Sequence, residues 1–200
     1  MIVFFTCPTR NILKYSKTYK KIRDEILHLG HKINRDWIDY SINVAQKDIP
    51  DIPPETLYKE VMSAILSSDV VVADATVKSM ALGHQITFAL QKNKPVLILR
   101  NIKKNKEIDG IFIEGSESRY LSSEIYSKMS DIPKILKFFF RKYEDKTKKR
   151  FNLVLSGSQD SYLNWAAFTY KKSKTEIIHD TLDKFQEKDQ SYQKYLSDES

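Results

Sequence analysis

The chain has 200 residues, a formal net charge of +7 and an isoelectric point near 9.2. That length allows one large domain or a core domain with a small module, and the charge favours nucleic acid or a phosphorylated ligand as partner, beside the plainer reading of a lysine-rich solvated surface. One cysteine, four histidines without ligand spacing, no apolar run near the roughly 20 residues of a membrane helix and no signal peptide before Ile2 exclude a disulfide framework, a metal centre and a membrane protein; no cofactor and a cytoplasmic location are expected.

Ile2 to Phe5 reads as an apolar strand, followed by the loop Thr6-Cys7-Pro8-Thr9-Arg10. Thr9 or Asn11 is placed to cap the next helix, and Cys7 reads as a small packing residue, since only Arg10 beside it favours a thiolate. Tyr19, Ile22, Ile26 and Leu29 recur at helical spacing within Tyr15 to Leu29, and Gly30 stops that helix. His31 to Trp37 has the pattern of a short edge strand, with Trp37 a packing residue before it is a base-stacking platform. Asp39 to Pro54 is polar, holds three prolines and shows no period, which predicts a loop. Pro54 then opens a helix over Glu55 to Ser67 with Leu57, Val61, Ala64 and Ile65 inward.

Asp69 to Leu99 organises this part of the chain. Val70 to Ala73 is a continuous apolar run, as a strand buried on both faces requires. Leu82, Ile86, Phe88, Ala89 and Leu90 follow on a helix, and Pro95 to Leu99 is a second apolar strand. A helix between parallel strands is the βαβ unit, so the predicted fold is α/β with a doubly wound, mostly parallel sheet. Ligands of such sheets bind at the strands' carboxyl ends, here Asp74 to Gln85, where Asp74, Thr76, Ser79 and Gly83 are suited to cradle a sugar or phosphate. Arg100 to Asp109 is a lysine-rich connection, Ile111 to Ile113 a short strand, Gly115 to Ser118 a polar turn that Tyr120-Leu121 continues, and Ile132 to Tyr143 a closing helix. Glu144 to Arg150 is charged and reads as a linker between a domain at 1–143 and a second at 151–188, with a fraying polar tail at 189–200.

In the second domain Phe151 to Leu155 alternates, Ser158-Gln159-Asp160 caps a helix carrying Tyr162, Leu163, Trp165, Ala166 and Phe168, and Lys171 to Thr175 breaks it. A second helix over Glu176 to Gln186 carries Ile177, Ile178, Leu182 and Phe185. One short strand and two helices cannot bury both helix faces, and a unit of roughly 40 residues calls for a partner.

Two resemblances follow from these stretches. SDVVVADATVKSMALGHQITFAL resembles the strand, turn and helix of the nucleoside 2-deoxyribosyltransferases and their relatives, the nucleotide N-glycosidases. Asp69, Asp74, Ser79, Gly83 and Ala89 match, while Lys78 stands for a proline and Ala81 for the first glycine of a Gly-x-Gly-x-Glu turn. Gln85 stands where the resemblance implies the glutamate nucleophile that attacks C1′ of the sugar; a neutral amide is a poor nucleophile, which closes the covalent route. The acidic residue implied on the preceding helix aligns with Val61, and the adjacent Glu60 is turned from it by roughly 100°. The resemblance further implies contacts from Thr6, Thr9 and Arg10 to phosphate or ribose, a cover over the sugar from the 39–54 region, and a turn holding Ser116 and Ser118 that reaches a phosphate in a neighbouring subunit. The ligand-binding candidates are thus Thr6, Thr9, Arg10, Asp74, Ser79, Gly83, Gln85 and Ser116, with no catalytic residue among them.

RFNLVLS, the first helix and SKTEIIHDTLDKF resemble the ribbon-helix-helix proteins. There two chains pair their strands and the ribbon enters the major groove of DNA. Alternation sends Phe151, Leu153 and Leu155 to a dimer core and Arg150, Asn152 and Val154 outward. Arg and Asn have the fork geometry for guanine and adenine edges, and Val154 suits a thymine methyl. Lys149 lies beside the ribbon, and Ser173, Lys174 and Thr175 at the second helix start suit a DNA phosphate. The expected partners are double-stranded DNA, a nucleotide or nucleoside ligand and further copies of the chain. The expected function is a DNA-binding regulator whose first domain senses a ligand or strengthens oligomerisation. The competing expectations are a nucleoside or nucleotide glycosidase working through another carboxylate, and an interaction protein that uses neither DNA nor ligand.

Overall fold

A computed structural model describes residues 1–47, 51–101, 115–147 and 151–198. They divide into two compact units, Met1–Lys148 and Lys149–Glu199.

The first unit is built on the strands that the apolar runs predict. β1 (Ile2–Thr6), β2 (Lys32–Ile33), β3 (Val70–Asp74), β4 (Val96–Asn101) and β5 (Leu121–Tyr126) form one sheet in the order β2-β1-β3-β4-β5. Every neighbouring pair is parallel, with Val3 opposite Val70 and Val71 opposite Val96. The helices are α1 (Ile12–His28), α2 (Ile38–Ala45), α3 (Pro54–Ser67), α4 (Met80–Gln91) and α5 (Ile132–Thr147). The side-chain period of two divides the core into two layers. Val3, Phe5, Val70, Val72, Leu97 and Leu99 pack with Tyr19, Ile22, Ile26, Leu136 and Phe139 of α1 and α5. Phe4, Val71, Ala73, Val96 and Ile98 pack with Met62, Ile65, Leu82, Ile86 and Ala89 of α3 and α4. Helices thus cover both faces, and the fold is a doubly wound α/β sheet. Each large side chain so buried contributes roughly 1.5–3 kcal/mol.

Buried polar groups then tie the strand ends. Asp69 Oδ2 accepts the Ile2 N–H at 2.7 Å, joining the starts of β1 and β3. Lys94 donates to the carbonyls of Leu66 (2.7 Å) and Ser68 (2.6 Å), closing the C-terminus of α3 against the entrance to β4. Gly30 takes φ +82° just past α1 and its N–H bonds Leu27 O at 2.9 Å, the backbone state that ends the helix.

Several boundaries differ from the sequence reading. β2 is two residues rather than the whole of 31–37, because Asn34 turns its amide to the Ala64 carbonyl at 2.6 Å and the chain leaves the sheet. The segment read as a loop from Asp39 contains most of α2, an eight-residue helix with only Ile38 fully buried, too short for a period to register. β5 runs over LSSEIY, an edge strand with one fully buried side chain, Tyr126, where only a continuation at Tyr120-Leu121 was expected. The helix predicted from Tyr15 begins at Ile12, preceded by Asn11 at φ +61°; neither Thr9 nor Asn11 caps it through its side chain, and Thr9 gives its carbonyl to the Ile12 N–H instead. α5 runs to Thr147, into the segment read as linker. The strand predicted at Ile111 to Ile113 lies outside the described residues.

The second unit contains α6 (Gly157–Tyr170), α7 (Lys174–Lys188) and α8 (Gln190–Asp198). Two reciprocal capping boxes set the helix starts: Ser156 with Gln159, and Ser173 with Glu176. The cap of α6 is therefore Ser156, two residues before the expected one. Leu163, Ala166 and Ile177 are its buried apolar cluster, with Leu155, Ala167 and Ile178 partly buried against it. Phe151 to Ser156 forms no helix and no sheet ladder within the described chain. Most of the 189–200 segment, read as a fraying tail, is α8.

Candidate functional site

The order β2-β1-β3 makes β1 and β3 the switch point of the sheet, where the connections run off in opposite directions and leave a crevice at the carboxyl ends. A cavity of about 360 Å³ lies there. Its floor is Phe4, Thr6 and Cys7 of β1 and the turn after it, its walls are Leu57 and Val61 of α3 and Ser79, Leu82 and Gln85 at the start of α4, and its cover is Arg35, Trp37, Tyr40 and Ser41 with Asp51. Two opposite charges tie the cover to α1: Asp39 at the start of α2 accepts from Lys20 (2.6 Å) and Arg23 (2.8 Å), which hold its carboxyl below the usual carboxylate range.

Gln85 is oriented from below. Thr6, almost wholly buried, donates its hydroxyl to Gln85 Oε1 at 2.6 Å. The carbonyl half of the amide is thereby committed, and the NH2 half offers the donors. A carboxylate at this position would present only acceptors. Val61 is buried and contributes apolar wall, and Glu60 turns away to pair with Arg35 at 2.9 Å. Trp37 serves two roles. Its Nε1 donates to Phe5 O at 3.0 Å, which anchors the indole to β1, and its side chain lines the cavity. Cys7 is buried; burial first, and the nearby Asp74 second, push its thiol well up, so it is not a thiolate nucleophile.

Of the sequence-predicted ligand residues, the cavity brings together Thr6, Thr9, Ser79 and Gln85. Asp74, Arg10, Gly83 and Ser116 are not among its lining residues. Asp74 is fully buried and ties strands together: Oδ2 accepts the Tyr126 hydroxyl at 2.9 Å and Oδ1 the Thr76 N–H at 3.0 Å, while Thr76 Oγ1 accepts the Asn101 N–H at 3.1 Å. Asp74, expected from sequence as a ligand-binding candidate, is thus engaged by strand-end partners within the sheet. Arg10 and Ser116 are exposed. Ser79 also caps α4, its Oγ accepting the Leu82 N–H at 3.3 Å. Arg35, Tyr40, Ser41 and Asp51 were missed; the rule that ligands sit beyond strand carboxyl ends, applied to β2 as well as β3, points to the residues after Ile33.

In the second unit Asn152 and Val154 are exposed, Val154 at 94%; Lys149 and Arg150 lie outside the described residues. Ser173 is engaged in its capping box, and Lys174 pairs with Asp160 at 2.7 Å, which draws that carboxyl below its ordinary range. The N–H groups of Lys174 and Thr175, at the first turn of α7, have no intrahelical acceptor.

Fold and site together define the first unit as a doubly wound parallel α/β domain with a ligand-sized cavity at its switch point. No protein-family model matches the chain, and no curated protein does. Among solved structures the chain is similar to Clostridium botulinum CMP N-glycosidase, BcmB, at 19% identity and a TM-score of 0.46, over 69% of this chain and 99% of that one. No helix among the described residues is long and apolar enough to cross a membrane.

Proposed function

We propose that the chain is a DNA-binding regulator: a ribbon-helix-helix module carried by an α/β domain that holds a nucleoside-like ligand without turning it over. The observation that carries this reading is the thinness of the second unit's core. Among the described residues, two well-capped helices surround a cluster of three buried side chains, Leu163, Ala166 and Ile177, with Leu196 buried besides, while Phe151, Leu153, Trp165, Leu182 and Phe185 remain half to largely exposed. A cluster of that size does not offset the entropy of ordering some 40 residues, so a second copy is the natural cover. Pairing Phe151–Leu155 of two chains buries alternate apolar residues and presents Asn152 and Val154, with Arg150, on one ribbon face. The neutral Gln85 amide and apolar Val61 support binding without covalent chemistry in the cavity.

The test is selection of DNA fragments by the native protein, followed by titration of variants. Arg150→Ala and Asn152→Ala each lower specific affinity by roughly 1–3 kcal/mol, and Lys149→Ala weakens specific and non-specific DNA alike and lowers the salt slope by about one. Removing residues 146–200 weakens self-association in light scattering. Full affinity and sequence preference in the Arg150 and Asn152 variants reduces the second unit to an assembly device.

A second reading is favoured by Asp51, the one carboxylate among the described lining residues. An enzyme using it in place of Gln85 would hydrolyse nucleosides or their monophosphates above background and lose that turnover in Asp51→Asn. The regulator reading expects no turnover from the native chain, and none from Gln85→Glu alone.

A further inference from the structure

The Arg35 side chain is only 16% exposed, yet it lines the cavity. A guanidinium carries five N–H donors. Nη2 donates to Glu60 Oε2 at 2.9 Å, and no other acceptor meets Arg35 among the described residues. Glu60 is nearly half exposed and does not line the cavity, so the ion pair steadies the guanidinium from the solvent side. Its remaining N–H donors are uncommitted among the described residues and stand open to an acceptor in the cavity. Arg35 is also the one cation among the described lining residues. The hydroxyls of Thr9 and Ser41 lie in the same cavity, with the apolar surfaces of Phe4, Trp37 and Leu57 beside them.

We infer that Arg35 reads an anionic group, a phosphate or a carboxylate, on the ligand of this cavity, with Glu60 as the residue that positions it. The fork of a guanidinium matches either group through two parallel hydrogen bonds, which an ammonium cannot reproduce. The inference rests on the cavity being a ligand site, and it adds what distinguishes one nucleoside-like ligand from another: the anion. It also moves the charged contact from Arg10, which is not among the cavity's lining residues, to Arg35 just past β2.

The test is calorimetric titration of the full-length chain with the four ribonucleoside 5′-monophosphates, the matching nucleosides, and adenosine 5′-carboxylic acid. At least one monophosphate binds tenfold or more tightly than its nucleoside. Arg35→Gln brings that ratio to within about twofold, and an unchanged far-ultraviolet circular dichroism spectrum and unfolding midpoint show that the variant is folded. Arg35→Lys, which keeps the charge and loses the fork, lowers the ratio several-fold and serves as well if Arg35→Gln fails to fold. A carboxylate analogue that binds as tightly as the monophosphate makes the recognised group a planar carboxylate; a weaker one makes it a phosphate. Nucleosides and monophosphates binding equally to the native chain, or a ratio unmoved in both Arg35 variants, overturns the role of Arg35 alone. Absence of binding by every probe at millimolar concentration overturns the ligand site itself, and the inference with it.

Discussion

Replacing Thr6 by valine removes one hydroxyl and keeps the side chain's shape, which isolates the bond that orients Gln85. Thr6 is 2% exposed, and its hydroxyl reaches Gln85 Oε1 at 2.6 Å. The Gln85 carbonyl, half-buried at the cavity wall, can replace the lost donor with water, so Thr6→Val costs about 0.5–1.5 kcal/mol, the net worth of a neutral hydrogen bond. Gln85→Met acts from the other side. It strands the buried Thr6 hydroxyl without its acceptor and costs about 1–3 kcal/mol, the price of an unsatisfied buried group. The double variant removes both partners and leaves nothing stranded, so it is less destabilising than the sum of the two by about 1 kcal/mol. Urea unfolding in a Trp165→Phe background reads this cleanly. Trp37 is then the sole tryptophan, buried and bonded to Phe5 O one residue from Thr6. A coupling below about 0.3 kcal/mol, inside the additivity expected of independent sites, would refute the claim that Thr6 sets the amide's orientation.

Lys94→Met deletes two charge-assisted bonds to the last carbonyls of α3 and is expected to cost about 2–3 kcal/mol in denaturant unfolding. Burial lowers the Lys94 ammonium below its ordinary 10.5, so the unfolded chain holds this proton more tightly; its contribution to native stability therefore rises as pH climbs from the depressed folded value toward 10.5, and the methionine variant lacks that rise. Lys171 ends α6 at φ +53°, a left-handed state that strains an L-residue by roughly 1 kcal/mol. Lys171→Gly relieves that strain and, after the greater entropy glycine loses, raises the melting temperature followed at Trp165.

The central strands were legible because burial on both faces writes an uninterrupted apolar run, and β3 has all five residues buried. The helices that pack on them were legible from their period. What escaped lies at the margins of the sheet. β2 and β5 are edge strands with few buried side chains, and α2 shows no full period of apolar residues. The site divides the same way. Thr6, Ser79 and Gln85 belong to strand ends and a helix start that adjacent sequence reveals. Arg35 joins them because β2 lies beside β1 in the sheet, a pairing that no local pattern encodes, and Asp51 comes from the stretch between α2 and α3. The bond that engages Asp74 comes from a tyrosine 52 residues away, which no local pattern reveals.

Under the proposed regulator function, reciprocity decides whether the first unit is a sensor or only an assembly domain. A ligand shifts a DNA-binding equilibrium only by the difference between its affinities for the DNA-free and DNA-bound protein; one that binds both equally shifts nothing, however tightly it binds. A sensor must therefore show a coupling factor, about 5–150-fold for the usual 1–3 kcal/mol, and that factor must be the same in both directions. The measurement is a pair of titrations: a selected duplex into protein with and without a saturating monophosphate, and the same monophosphate into protein with and without saturating duplex. A sensor gives two equal ratios well away from one. Two ratios of one, with tight binding of both molecules, leave the cavity occupied but unconnected to DNA, and the first unit is then an oligomerisation domain that happens to keep a pocket. Unequal ratios violate linkage for a single pair of states and signal a change of oligomer between the two titrations. Light scattering on the same samples resolves that case, because a change of oligomer registers there as a change of mass.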